Sequence, residues 1–239
     1  MKNFSTIKFS YDHDIAYLTL NRPEVHNAMN SEMINELISV FHELDNEDSL
    51  RLIILRGEGP SFSSGADLKY MKQTGELSYE ENLNDAGKLA ELFNLIYMAK
   101  PPVAAFVHGQ IAGGANGILS ASDVVFAAED TVFRFSQVLL RLLPAAIAPY
   151  VIRIMGLTFA TELMLTGRSF TAQEALHFSL VNKIVDEKDI EAEILGFVKR
   201  MIKAGPGAVR KTKQLLRKIH GNTIDPELMQ YTISAIAEA

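Results

Sequence analysis

Apolar and polar positions along this chain fall into two periods. Ile15-Ala16-Tyr17-Leu18-Thr19-Leu20 is a short β-prone run that stops at a turn, Asn21-Arg22-Pro23. Met33, Ile34, Leu37, Ile38, Val40, Phe41 and Leu44 then recur at helical spacing, and Asn30-Ser31 supplies a cap. Leu52-Ile53-Ile54-Leu55-Arg56-Gly57 reads as a buried strand, stopped by Gly57-Glu58-Gly59-Pro60. Leu83, Leu89, Leu92, Phe93 and Ile96 predict a helix over 80–99. Pro102-Val103-Ala104-Ala105-Phe106-Val107 predicts another buried strand, followed by a helix over 114–121 and a strand over 123–127.

Strands alternating with helices in this order indicate an α/β fold with crossover connections. From Gln137 onward the text is mainly helical, over 146–155, 158–166, 172–178, 187–203, 206–219 and 226–238, with a short extended link at 181–185. No internal repeat, low-complexity segment or flexible linker interrupts it. The change from mixed to helical text places a boundary near residue 186, between a core over 1–185 and a helical region over 186–239.

Composition narrows the partners. The 239 residues are 48% hydrophobic and 22% charged, enough to bury a sizeable core, and the net charge of -6 argues against nucleic acid. The chain has no Cys, which excludes disulfides, thiolate nucleophiles and Cys-ligated metals. No metal site is expected. Residues 1–14 carry Asp12 and Asp14 and no apolar core, so they do not read as a signal peptide. The longest apolar stretch, 138–155, contains Arg141, Pro144, Pro149 and Arg153, which argues against a membrane span. The expectation is a cytoplasmic protein.

Two glycine motifs carry the candidate chemistry. Ser63-Ser64-Gly65-Ala66-Asp67-Leu68-Lys69 is followed in the next strand–helix unit by Gly113-Gly114-Ala115-Asn116-Gly117. Each places Gly beside a backbone N–H, and Gly113-Gly114 opens a helix, where free N–H groups favour an anion. Taken alone, Gly-Gly before a helix is also what a tight turn requires. Together, two such N–H groups can hold a thioester oxygen as it becomes an enolate.

With these motifs in order the chain resembles the enoyl-CoA hydratase/isomerase (crotonase) superfamily. The likeness rests on Asn21-Arg22-Pro23 with Asn27-Ala28-Met29, on residues 57–68, on Lys100-Pro101-Pro102-Val103 before the second glycine motif, and on Asp123. Leu165-Thr166-Gly167-Arg168, Ala172, Ala175 and Leu180-Val181-Asn182 continue it. Pro144-Ala145-Ala146-Ile147-Ala148-Pro149-Tyr150 is similar to the methylglutaconyl-type hydratase branch. The resemblance implies a spiral of ββα units, a helical C-terminal region that forms a homotrimer or a dimer of trimers, and an acyl-CoA thioester ligand. No permanent cofactor is implied; coenzyme A arrives as part of the substrate. The backbone N–H groups of Ala66 and Gly114 would form the oxyanion hole. Ala66, Asp67, Leu68 and Lys69 would line the CoA passage, with Val25 near the same arm.

The chain departs from the family where hydratases use two glutamates. The first position is Gly117 and the second is Gln137. Gly cannot titrate, and Gln cannot accept a proton from water. Arg141 stands where the family commonly has Gly, as a salt-bridged residue or as a contact for an acidic group. Asp67 reads as a brace of its loop and His108 as a turn histidine, with a substitute base as the alternative for each; Asp123 reads as an anchor of the next strand, and Glu80, Glu81 and Asp85 as a solvated face or as a border of the acyl pocket. Lys69 reads equally as a phosphate contact or as an exposed lysine. Family members usually run on into a further helix beyond the text that ends at Ala235-Ile236-Ala237-Glu238-Ala239, so a more open CoA site is expected. The function implied is a hydratase/isomerase-like lyase stabilising a thioester enolate. The alternatives are an acyl-CoA decarboxylase and a non-catalytic acyl-CoA-binding pseudoenzyme.

Overall fold

The continuous apolar runs are strands covered on both faces. In the computed structural model, which describes residues 4–237, Ile53 and Leu55 of β3 (Leu52–Gly57) face one apolar cluster, and Leu52 and Ile54 face another. β4 (Val103–Val107) does the same, with Val103, Ala105 and Val107 on one side and Ala104 and Phe106 on the other. These strands belong to a six-stranded sheet in the order β1-β2-β3-β4-β6-β9. β1 (Ile7–Asp12) and β2 (Ile15–Leu20) form an antiparallel hairpin, and the other pairings, through β6 (Val124–Ala128) to β9 (Lys183–Val185), are parallel.

A second sheet, of order β5-β7-β8, is built from the three-residue strands β5 (Gln110–Ala112), β7 (Val132–Arg134) and β8 (Ser169–Thr171). None of the three was anticipated, because three residues are too few to show a period. They are held by aromatic packing: Phe133 stacks on Phe170 at 5.4 Å between centroids, and Phe135 lies 5.6 Å from Phe170.

After the hairpin and α1 (Ser31–Asp45), the chain repeats one pattern. A strand of the large sheet leads to a short strand or bridge at the small one, and a helix then returns the chain. β3 is followed by a bridge at Ser63, then α2 (Leu68–Thr74) and α3 (Tyr79–Met98). β4 is followed by β5 and α4 (Ala115–Ala121). β6 is followed by β7 and α5 (Ala148–Thr166). This is the expected α/β architecture of ββα units. α2 was not anticipated; its start is fixed by a side-chain cap from Asp67 rather than by an apolar period.

α5 is long and apolar enough to cross a membrane by length and composition alone. It breaks at Gly156, with φ 74° and ψ 164°, where the two predicted helical segments meet. It carries Arg153 and Glu162, and its buried residues Val151, Ala160 and Leu163 pack into the core. α6 (Ala172–His177) leads back to β9.

The expected boundary near residue 186 falls just after β9. Beyond it α7 (Ile190–Lys203) lays Ile194 and Val198 on the outer face of the large sheet, with Phe197 edge-on to Phe126 at 5.2 Å. α8 (Pro206–Ile219) is tied to the core through Asp123. α9 (Pro226–Ala237) matches the last predicted helix; Glu238, Ala239 and residues 1–3 lie outside the described residues.

Candidate active site

The repeat brings three loop ends together. Ser63 pairs in parallel with Ile111, and Ile111 with Phe133. Just beyond these pairs Gly65 lies against Ala112 and Gly113, and Gly113 against Ser136 and Gln137, so the residues that follow, Ala66 and Gly114, come to one cavity with Gln137. Several contacts tie these levels. Gly113 N–H donates to Arg134 C=O at 3.0 Å, and Ala112 N–H donates to Ser63 C=O at 3.2 Å. A β carbon on Gly65 would sit 2.6 Å from Ala112 O, and Gly65 has φ +92°, so the close approach admits only Gly. Gly113, at φ +52°, makes the turn into α4.

Two N–H groups are left aimed into the gap. Ala66 pairs with Met29 on its other edge, but Met29 makes both bonds of that bridge: its N–H donates to Gly65 C=O at 2.7 Å, and its C=O accepts from Asp67 N–H at 2.9 Å. The N–H of Ala66 therefore points away from Met29, towards the second glycine motif. Gly114 caps α4 and has no intrahelical partner. Among the described residues, neither N–H donates to a protein acceptor.

The loop is held rigidly. Asn27, fully buried, donates to the C=O of Glu58 and Ser61 at 2.8 Å each, and Ser63 Oγ donates to Asn27 C=O. Asp67 caps α2 through the N–H groups of Lys69 and Tyr70, and its Oδ2 pairs with Arg22 at 2.9 Å. Burial pushes the Asp67 carboxyl up, but the hydrogen bonds from Arg22, Lys69 and Tyr70 outweigh it and hold the group below its usual range. Asp67 thus braces the loop and the start of α2.

Two cavities meet at this point. One, of about 520 Å³, is lined by Arg22, Val25, Asp67, Leu68 and Lys69. The other, of about 270 Å³, is lined by Tyr70, Asn82, Asp85, Leu89, Gly114 and Pro144, among others. Ala66, Met71, Gln137 and Leu142 line both. The larger therefore gathers the residues expected along a CoA arm, and the smaller gathers Ala66, Gly114 and Gln137.

Comparison with known proteins agrees with this geometry. The family model described as enoyl-CoA hydratase/isomerase matches residues 11–233. The chain belongs to the enoyl-CoA hydratase/isomerase (crotonase) family. A crystal structure of an enoyl-CoA hydratase from Shewanella pealeana superposes with a TM-score of 0.95 at 32% identity, covering 98% of this chain and 88% of that one. The mitochondrial Delta(3,5)-Delta(2,4)-dienoyl-CoA isomerase of Dictyostelium discoideum is 30% identical over 93% of this chain and 80% of its own length. The trans-2-decenoyl-[acyl-carrier-protein] isomerase of Streptococcus mutans is 28% identical over 90% of this chain and 82% of its own.

Within this crotonase fold the remaining candidates separate. Gly117 is buried in α4 and does not line either cavity; Phe93 and Ile147 cover it. The Gln137 side chain reaches the site, and its Oε1 is buried without a partner. His108 hydrogen-bonds Gly59 C=O at 2.7 Å in a separate cavity with Arg56 and Glu191. Asp123 accepts from Val103 N–H and pairs with Lys213 and Arg217, away from the glycine motifs. Glu81 forms a capping box with Ser78, and Glu80 is exposed.

For Asp85 the structure selects the border of the pocket over the solvated face. It is not on a solvated face but half-buried in the wall of the smaller cavity, where Tyr70 O–H donates to its Oδ2 at 2.5 Å. Burial and this bond push the Tyr70 hydroxyl well above its usual range, so it stays protonated. The available signal was helical spacing, which Glu81 shares: Glu81, Asp85, Leu89 and Phe93 follow one another at i, i+4 along α3.

Proposed function

We propose that this protein binds an acyl-CoA thioester and stabilises the enolate of its acyl group, as a lyase or isomerase of the hydratase/isomerase type. The observation that carries the reading is the convergence of two acceptor-free N–H groups, of Ala66 and Gly114, on one cavity. A thioester oxygen set between them gains hydrogen bonds as negative charge develops on it, and the α4 N-terminus adds a favourable field. The CoA arm passes Val25, Leu68 and Lys69 in the larger cavity, and the acyl chain enters the smaller one beside Leu89 and Pro144. Coenzyme A enters and leaves with the substrate.

Gly117 and Gln137 stand where the resemblance places the usual glutamates. Two-carboxylate hydration therefore lacks its groups. A double-bond shift, or a decarboxylation that generates the enolate without a base, draws on what the site retains. The two isomerase relatives support the first. A non-catalytic binder is the second reading, favoured by Gly117 and Gln137, which put no carboxylate at either position. Exposed apolar side chains on α5 and α9, among them Leu157, Leu165 and Ile233, support a homotrimer or a dimer of trimers, which light scattering reads directly.

A panel of acyl-CoA thioesters followed by mass spectrometry tests the function. It reports water addition, double-bond shift and CO2 loss together. A shift or CO2 loss exceeding hydration supports the reading; rapid hydration contradicts it. Thioester binding without turnover leaves the binder.

A further inference from the structure

We propose that Asp85, oriented by Tyr70, is the proton-transferring group of this site. The inference rests on the enolate-stabilising reading above and supplies the base that reading lacks. The cavity that holds Ala66 and Gly114 has one carboxylate on its wall, Asp85, and one other titratable side chain, Tyr70. The other polar side chains there, Thr74, Asn82 and Gln137, carry no charge.

Position and chemistry agree. A β carbon on Gly114 would lie 3.9 Å from Leu89 Cδ2 and 4.0 Å from Phe93 Cζ, so the face of α3 that carries Asp85 is the one laid against the oxyanion site. Asp85 is one helical turn, about 6 Å along the axis, from Leu89. A carboxylate there faces the first carbons of an acyl chain whose thioester oxygen is at Gly114. Tyr70 O–H occupies Oδ2 and leaves Oδ1 for the substrate. Tyr70 is a positioning residue: its hydroxyl fixes the orientation of the carboxylate.

One carboxylate suits a shift of a double bond from the β,γ to the α,β position. Asp85 takes a proton from the α carbon of a 3-enoyl thioester. The C–H electron pair becomes a C=C bond of the dienolate, and the negative charge moves to the thioester oxygen between the Ala66 and Gly114 N–H groups. Protonated Asp85 returns the proton to the γ carbon, and the C=O re-forms. Nothing is oxidised or reduced, and no co-reactant is needed.

The test uses the full chain, a straight-chain 3-enoyl-CoA and a saturated acyl-CoA. Formation of the conjugated thioester is followed by absorbance, α-carbon deuterium exchange in D2O by mass spectrometry, and saturated acyl-CoA binding by calorimetry. The unmodified protein is expected to shift the double bond and exchange the α proton. Asp85→Asn is expected to lower kcat for both by about 10²–10⁴-fold, while thioester affinity, which also reports folding, stays within a few-fold. Tyr70→Phe is expected to lower kcat by about tenfold while KM and saturated acyl-CoA affinity stay within a few-fold, because the carboxylate is no longer held in place. Asp85→Asn with unchanged kcat overturns the proposal. Thioester binding by the unmodified protein without shift or exchange overturns it while leaving the enolate site in place. Absence of thioester binding overturns both.

Discussion

Gly117 lies against Phe93: a β carbon built on it would sit 2.5 Å from Phe93 Cζ and 2.7 Å from Ile147 Cγ2. The space that a side chain at 117 would need is filled by core, not by solvent or ligand.

The two positions expected to carry glutamates therefore answer differently to the same substitution. Gly117→Glu forces a carboxylate between two packed side chains and should destabilise the fold by about 3 kcal/mol or more, with no gain in hydration. Gln137→Glu places a nearly isosteric carboxylate in the cavity, on an oxygen that has no partner now. It should recover part of the roughly 10²–10⁴-fold that general acid–base catalysis supplies to hydration. Chemical denaturation and steady-state hydration of crotonyl-CoA and 3-methylglutaconyl-CoA check both. A hydration gain from Gly117→Glu, or none from Gln137→Glu, contradicts this placement of the groups.

Arg141 follows the short turn Gln137–Leu140 and has φ +60°, in the left-handed region, with an exposed side chain. A side chain there costs about 1–2 kcal/mol that Gly avoids, partly offset by the greater freedom of Gly in the unfolded chain. Arg141→Gly should raise stability by up to about 1 kcal/mol, read as a higher denaturant midpoint at unchanged slope. A lower midpoint would show that the guanidinium makes a stabilising contact.

The long helices were legible from their period, from Leu37 and Phe41 on α1 to Ile194 and Val198 on α7, and the central strands β3 and β4 from their continuous apolar runs; β1, with only Ile7 buried, was not read. The second sheet was not, since its strands are three residues long. Within the site, the glycine motifs were visible because Gly65 and Gly113 meet backbone demands that only Gly fulfils readily. Which of Glu80, Glu81 and Asp85 borders the pocket was not legible, because the three look alike along the sequence. The i, i+4 stripe with Leu89 and Phe93 takes in Glu81 as well as Asp85, and only the fold shows that Glu81 caps the helix while Asp85 reaches the cavity. The Tyr70–Asp85 bond joins two helices, and no local pattern announces it.

Lys213 ties α8 to the core: its Nζ donates to Pro101 C=O at 2.8 Å and pairs with Asp123 at 2.5 Å. Burial pulls its pKa down from 10.5 to about 8, against the pull of Asp123. The unfolded chain therefore binds this proton more tightly than the folded one, and the stability contributed by the group should rise as pH goes from about 8 to 10.5. Lys213→Met, which leaves Asp123 paired with Arg217, should remove that slope. Denaturant midpoints of both forms across the window are the check; parallel curves would mean that Lys213 keeps an ordinary affinity for its proton.

Gly114→Val asks most directly whether the Ala66 and Gly114 N–H groups hold an enolate oxygen. Gly114 has φ -63° and ψ -22°, which a side chain adopts without strain, and a β carbon would meet the movable Met29 methyl at 2.9 Å on the cavity side. The fold should survive while the approach to the N–H is blocked. Calorimetric binding of an enolate-like CoA thioester analogue should weaken at least about tenfold, and that of free CoA should stay within about threefold; a tenfold loss corresponds to about 1.4 kcal/mol. Equal affinity of the variant for the analogue, or equal loss for both ligands, would place the oxygen elsewhere.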